Sequence, residues 1–154
     1  MAQFSFIPAA EAAAFADDIR RLFDELSATL PRERRALSGE CRPAVDVLES
    51  DEDLEILMDA SGISAAAVRI LFRDGVLLVV GEKAPPAGQQ GQYHLVEREF
   101  GRFARAIRLA GAFDVARGRA SIRDGELAIV LPKLVERRGR THRIPVADAE
   151  DRLP

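Results

Sequence analysis

The 154-residue sequence has no tryptophan, one tyrosine, two methionines and one cysteine. A lone Cys41 excludes an intramolecular disulfide framework and suits a reducing compartment, so a cytoplasmic location is expected. The scarcity of tryptophan and tyrosine leaves few stacking platforms for single-stranded nucleic acid. An excess of either charge is also lacking. Its 22 basic and 25 acidic residues give a net charge of −3, which argues against nucleic acid as a partner. No apolar run approaches the ~20 residues of a membrane span. The start Met1-Ala2-Gln3-Phe4 has no basic stretch leading into an apolar one, so no secretory signal is expected. What is present, 47% hydrophobic and 31% charged residues, suits one ordinary domain with flanking arms.

Residues 1–42 are Ala-rich and lack glycine until Gly39. Pro8 is suited to the first turn of a helix, where a missing N–H costs nothing. Phe15, Ile19, Leu22, Phe23, Leu26 and Leu30 then recur at helical spacing. Asp17, Asp18, Arg20, Arg21, Asp24 and Glu25 take the other side. The pattern predicts an amphipathic helical arm ending before Pro31, with the polar stretch 32–42 as a linker. The apolar stripe needs a partner surface. It either docks on its own domain or meets another chain or a client protein.

Residues 43–134 change period. Val45/Val47, Leu54/Ile56/Met58 (blurred by Leu57), Val68/Ile70/Phe72 and Ala120/Ile122 alternate with polar neighbours, Phe103, Ile107 and Leu109 share one phase with Arg105, and Leu127, Ile129 and Leu131 finish the series. Short alternating runs separated by turn signals predict an all-β, immunoglobulin-like sandwich. Val76 to Val80 is apolar throughout and reads as a central strand. Asp74-Gly75 and Asp124-Gly125 sit between such runs and predict two tight hairpins. Ala84 to Gly91, with Pro85, Pro86 and Gly88, cannot be a central strand and reads as a long loop, with Tyr93 to Phe100 as a strand carried on it.

No catalytic constellation emerges. His94, His142 and Cys41 share no metal-ligand spacing, and there is no phosphate-cradling Gly-x-x-x-x-Gly-Lys loop. Glu97 and Glu99 share a strand face, but Arg98 and Arg102 flank them as ion-pair partners. The reading is therefore of a non-enzyme without a cofactor. Two features ask for more. Arg105 falls in the apolar phase of its strand; it either meets a carboxylate, possibly on another subunit, or snorkels to the surface. Residues 135–154 form a polar, flexible extension that holds one apolar island, Ile144-Pro145-Val146. Pro145 favours an extended backbone, which puts Ile144 and Val146 on one side. The island either docks in a groove or folds onto its own surface.

These residues resemble a small heat-shock protein with an alpha-crystallin domain. The likeness runs through Arg42-Pro43-Ala44-Val45-Asp46-Val47, Asp74-Gly75-Val76-Leu77 to Gly81-Glu82, and Val96-Glu97-Arg98 followed by Gly101-Arg102-Phe103-Ala104-Arg105. It continues through Ala120 to Leu127, Leu131-Pro132-Lys133 and the Ile144-Pro145-Val146 island. Ser61-Gly62, Leu109-Ala110 and Gly125-Glu126-Leu127 depart from the family's Pro-Gly, Leu-Pro and Gly-Val-Leu. The resemblance implies an ATP-independent holdase that binds unfolding clients and assembles as a homo-oligomer of strand-exchanged dimers. It assigns Tyr93, Glu97, Arg98 and Arg105 to the dimer interface, with Glu97 facing Arg105 across it. It assigns Ile144, Pro145 and Val146 to a tail motif that docks in a groove of Val68, Ile70, Phe72 and Ile122. Phe15, Ile19, Leu22, Phe23 and Leu26 become a client-binding arm. Competing readings are a monomeric adaptor like the CS-domain co-chaperones, and an enzyme with an unrecognised site.

Overall fold

A computed structural model describes residues 13–30, 39–86, 88 and 90–134, together with the backbone of Ser5 and Phe6. Ile144, Pro145, Val146 and His142 lie outside the described residues, as does the surrounding of Pro8.

Eight strands form two four-stranded antiparallel sheets. The first has the order β1 (Ser5–Phe6), β6 (Gly101–Arg108), β5 (Val76–Lys83), β4 (Val68–Arg73). The second has the order β2 (Val45–Glu49), β3 (Asp53–Asp59), β8 (Glu126–Pro132), β7 (Arg119–Arg123). This is the expected sandwich. Leu54, Ile56 and Met58 of β3 face Leu127, Ile129 and Leu131 of β8, and all six are buried in the core. From the other sheet Leu77, Val79, Phe103 and Ile107 join the same cluster.

Both Asp-Gly turns form as expected. Asp74 and Gly75 have φ of 52° and 75°, and Asp124 and Gly125 have φ of 51° and 80°. Two consecutive positive φ values match the twist of the flanking strands, which is why Asp-Gly is selected there.

β5 is central, and every residue from Val76 to Glu82 is buried. Its odd-numbered side chains face the second sheet. Its even-numbered ones, Val76 and Leu78, pack outward against Phe15 and Ile19. They meet a helix, α1 (Ala16–Thr29), which follows a 3-10 turn at Ala13–Phe15. Asp17 and Asp18 lie in its first turn, where the positive end of the helix dipole favours them. The expected end before Pro31 is observed, with Leu30 extended. Of the two readings of the arm, the described residues show docking on its own sheet. Burying Phe15, Leu22 and Leu26 there contributes roughly 1.5–3 kcal/mol each.

Three expectations need correction. Asp18 is not on the solvent side; it is buried, because it sits one turn from both Phe15 and Leu22 on the docked face. The segment 93–100 carries no strand, since a strand exists only where a ladder partner satisfies it. The linker is not loose throughout. Glu40 bridges Arg102 in parallel, Cys41 N–H donates to the Arg102 carbonyl (3.1 Å), and Cys41 is buried.

Gly81 lies opposite Phe103. A Cβ there would overlap the Phe103 ring and come within 2.7 Å of the Ala67 carbonyl oxygen. Gly81→Ala is therefore expected to lower stability by about 2 kcal/mol through overpacking, read as a reduced denaturant midpoint. An unchanged midpoint would show that this corner is not close-packed.

Candidate functional site

The sandwich has two open sides, and the sequence-derived site residues divide between them. On one side β2 is an edge strand, paired only with β3. Beside it in the other sheet runs β6, which carries Arg105. The alternation Gly101, Phe103, Arg105, Ile107 is buried, so Arg105 points between the sheets. It is 8% exposed, which excludes the snorkelling reading. Its Nη1 donates to the Pro43 carbonyl oxygen at 2.8 Å, tying β6 to the start of β2. Burial pushes the guanidinium below its ordinary value, and the nearby Arg42 charge pushes the same way. Desolvation of a cation is the larger cause.

The remaining residues assigned to a dimer interface lie on the segment before β6. Tyr93, Leu95 and Val96 are 61%, 72% and 62% exposed, a concentration of apolar surface without equal elsewhere in the described chain. Glu97 and Arg98 are exposed beside them. Arg98 stacks over the Phe100 ring at 5.1 Å. Glu99 accepts from the Arg42 backbone N–H at 3.4 Å. Arg105 thus differs in burial from Tyr93, Glu97 and Arg98, which are exposed.

At the opposite side β4 and β7 are the two edges. Val68 is buried and Ile70, Phe72 and Ile122 are half-buried. Val68 belongs to the main core cluster, and Ile70, Phe72 and Ile122 pack against it.

The arm residues are split. Phe15, Leu22 and Leu26 are buried under α1. Ile19 and Phe23 are half-buried and line a groove of about 920 Å³, with Cys41, Glu99, Arg102, Ala104 and Ala106 among its other walls. The Cys41 thiol donates to the Gly101 carbonyl at 3.5 Å, and burial raises its pKa above the ordinary value. Among the described residues no group of three or more His, Cys, Asp or Glu is arranged to hold a metal ion.

Sequence reasoning missed the polar contacts that hold the arm. Arg73 Nη1 is paired with Asp18 Oδ2, Arg73 Nη2 donates to the Ala14 carbonyl at 3.2 Å, and its guanidinium lies 5.0 Å from the centre of the Phe15 ring. Arg102 donates to Ser27 Oγ at 3.2 Å and lies over Phe23 at 5.0 Å. Arg69 donates to Thr29 Oγ1 at 3.1 Å. Beneath Arg102, Glu82 is buried, 3.8 Å from Arg102 Nε. The available signal was the phase: Arg69 and Arg73 alternate with the core-facing Ile70 and Phe72, so they share the outer face of β4.

The architecture is that of a two-sheet sandwich, and known proteins share it. The model of the Hsp20/alpha crystallin family matches residues 46–147. Heat shock protein 16 of Schizosaccharomyces pombe is 27% identical over 123 residues, covering 78% of this chain and 86% of the yeast protein. A 22.0 kDa heat shock protein of Arabidopsis thaliana is 34% identical over 109 residues, 70% of this chain and 56% of the plant protein. Among solved structures, heat shock protein 16.0 of Schizosaccharomyces pombe superposes with a TM-score of 0.59 at 26% identity, over 70% of this chain and 99% of that one. A small heat-shock protein from Xylella fastidiosa, described as having a distinct high order structure, gives 0.60 at 28% identity, over 70% of this chain and 98% of that one. The chain belongs to the Hsp20/alpha-crystallin family, the small heat-shock proteins. That membership supports a chaperone role. No helix among the described residues is long and apolar enough to cross a membrane.

Arg105→Ala removes the tie between β6 and β2 and empties a buried site. Its unfolding free energy is expected to fall by about 1.5–3 kcal/mol, the range for a charge-assisted hydrogen bond. Wild-type stability in a chemical denaturation curve would remove that role.

Proposed function

We propose that the protein is an ATP-independent holdase that captures unfolding proteins and keeps them from aggregating, working in the cytoplasm as a homo-oligomer of dimers and without a cofactor. One observation carries this reading. An exposed apolar segment, Tyr93 to Val96, stands in the same molecule as an unpaired edge strand, β2. Each supplies what the other lacks: side chains without cover, and backbone N–H and C=O groups without a ladder. Between two copies, residues 93–98 add a strand to the partner's β2, and Glu97 comes to face Arg105. The slot of Val68, Ile70, Phe72 and Ile122 receives Ile144 and Val146 of a neighbouring dimer, with Pro145 holding them extended.

The mechanism is physical. Unfolding proteins expose apolar surface whose reburial is worth roughly 25 cal/mol per Å². The apolar residues Phe15, Ile19, Leu22, Phe23 and Leu26 of the arm compete for that surface. Charged residues, 31% of the chain, keep the complex dispersed.

Light scattering of a heat-aggregating client is the direct test. Stoichiometric protein without ATP is expected to suppress the signal; an unchanged trace sinks the holdase. Native mass separates the alternatives in assembly, since a lone 16.9 kDa particle would favour a monomeric adaptor. Replacing Ile144 and Val146 together by Gly is expected to shrink large assemblies to dimers. Retention of the full mass would show that the tail island is not the connector.

A further inference from the structure

The outer face of the β4–β5–β6 sheet is unusual for an antiparallel sandwich. Such a face ordinarily carries polar residues toward water. Here register puts Leu71 of β4 beside Leu78 of β5, and Val76 and Val80 share that face. Val76, Leu78 and Val80 are each no more than 1% exposed. The face is apolar along β5 from Val76 to Val80, and it is covered by α1.

The cover is fastened at its rim. Three arginines of the sheet, Arg69, Arg73 and Arg102, hold Thr29, Asp18 and Ser27 of α1. Arg73 reaches the N-terminal end and Arg102 the C-terminal half. Both are partly open to solvent, with side chains 44% and 41% exposed. Asp18 is the one acidic residue of α1 that is buried. Its Oδ1 accepts from Arg21 Nη2 of the same helix at 3.0 Å, while its Oδ2 has the ion pair with Arg73 but no directed hydrogen bond among the described residues, so its tie to the sheet is made by charge more than by geometry. A helix of 14 residues is marginal in water by itself. Undocking therefore melts α1 and bares the sheet face and the Phe15–Leu22–Leu26 stripe together.

We propose that this sheet face is itself a binding surface for amphipathic helical segments of unfolding proteins, that α1 is its resident occupant, and that the Asp18–Arg73 pair sets how often it is vacated. The inference rests on the holdase reading and specifies the client chemistry. Arg73 at one end of the apolar strip selects a helix with an acidic residue in its first turn and apolar residues four and eight positions later, while Arg69 and Arg102 offer donors to polar side chains near its other end. Asp18, Leu22 and Leu26 have that spacing. Helices with a basic first turn are repelled. The arm is then a competitor for the surface as well as a source of apolar contacts.

The test uses the full chain and fluorescent peptides. One peptide carries residues 13–30; a second is an unrelated amphipathic helix with Glu in its first turn; a third is its Lys counterpart. Asp18→Asn in the chain weakens the resident helix and leaves Arg73 in place. This variant is expected to bind the first two peptides about tenfold more tightly than wild type, the size of one charge-assisted contact. Asp17→Asn removes the same charge from an exposed site paired only with Arg20 and is expected to match wild type. The Lys peptide is expected to gain nothing. Leu22→Ala weakens the resident helix without touching the charge pair, must raise affinity likewise, and carries the test should Asp18→Asn lose hydrogen-exchange protection in β3, β5 and β8. Equal affinities for wild type and Leu22→Ala, or an equal gain for Asp17→Asn, would overturn the proposal. Peptide binding that falls as protein concentration rises would give the face to α1 of a second copy and overturn the client assignment. Client light scattering with wild type is scored separately. Suppression with unchanged peptide affinities removes this inference alone, and peptide gains without suppression remove the holdase reading alone.

Discussion

Burial of β5 on both faces is the constraint from which the rest follows. An antiparallel strand needs only one covered face, and a sandwich supplies it. Val76 to Glu82 leaves nothing polar to present to water on the second face until Glu82, so a second layer is obligatory. α1 provides it, and the N-terminal segment becomes part of the core. The buried Glu82 marks where the apolar strip ends. Its partner Arg102 also holds Ser27 and covers Phe23, so one guanidinium serves the sheet and the helix together.

The two sides of the sandwich differ in kind. At β2 and β6 the sheets are tied by a polar contact, from Arg105 to Pro43, next to an edge whose backbone is unpaired. At β4 and β7 the edges carry Ile70, Phe72 and Ile122, all half-buried. One side thus presents an edge of backbone and the other a set of apolar side chains, which are chemically distinct ways to meet another polypeptide.

Much of this was legible because it is local. The alternations, the apolar run of β5 and the Asp-Gly turns each depend on residues within a few positions of one another, and the strands fall where those patterns lie. Asp18 was misread because a helical wheel assigns faces from polarity, whereas its burial depends on Arg73, 55 positions later. The Tyr93–Phe100 segment has strand-forming side chains, yet strand structure is a property of a pair, and no ladder among the described residues includes it. β1 is two residues long, too short for any period. Arg105 was the site residue whose burial the sequence exposed most clearly, because a charge in an apolar phase contradicts its surroundings. The Pro43 carbonyl that accepts from it has no side-chain signature to find.

Cys41 sits in the groove wall with its thiol donating to Gly101 and its ionisation suppressed by burial. The thiolate, not the thiol, reacts with peroxides and disulfides. Oxidants therefore find little to attack at Cys41 in the folded chain, where burial both covers the sulfur and keeps it protonated.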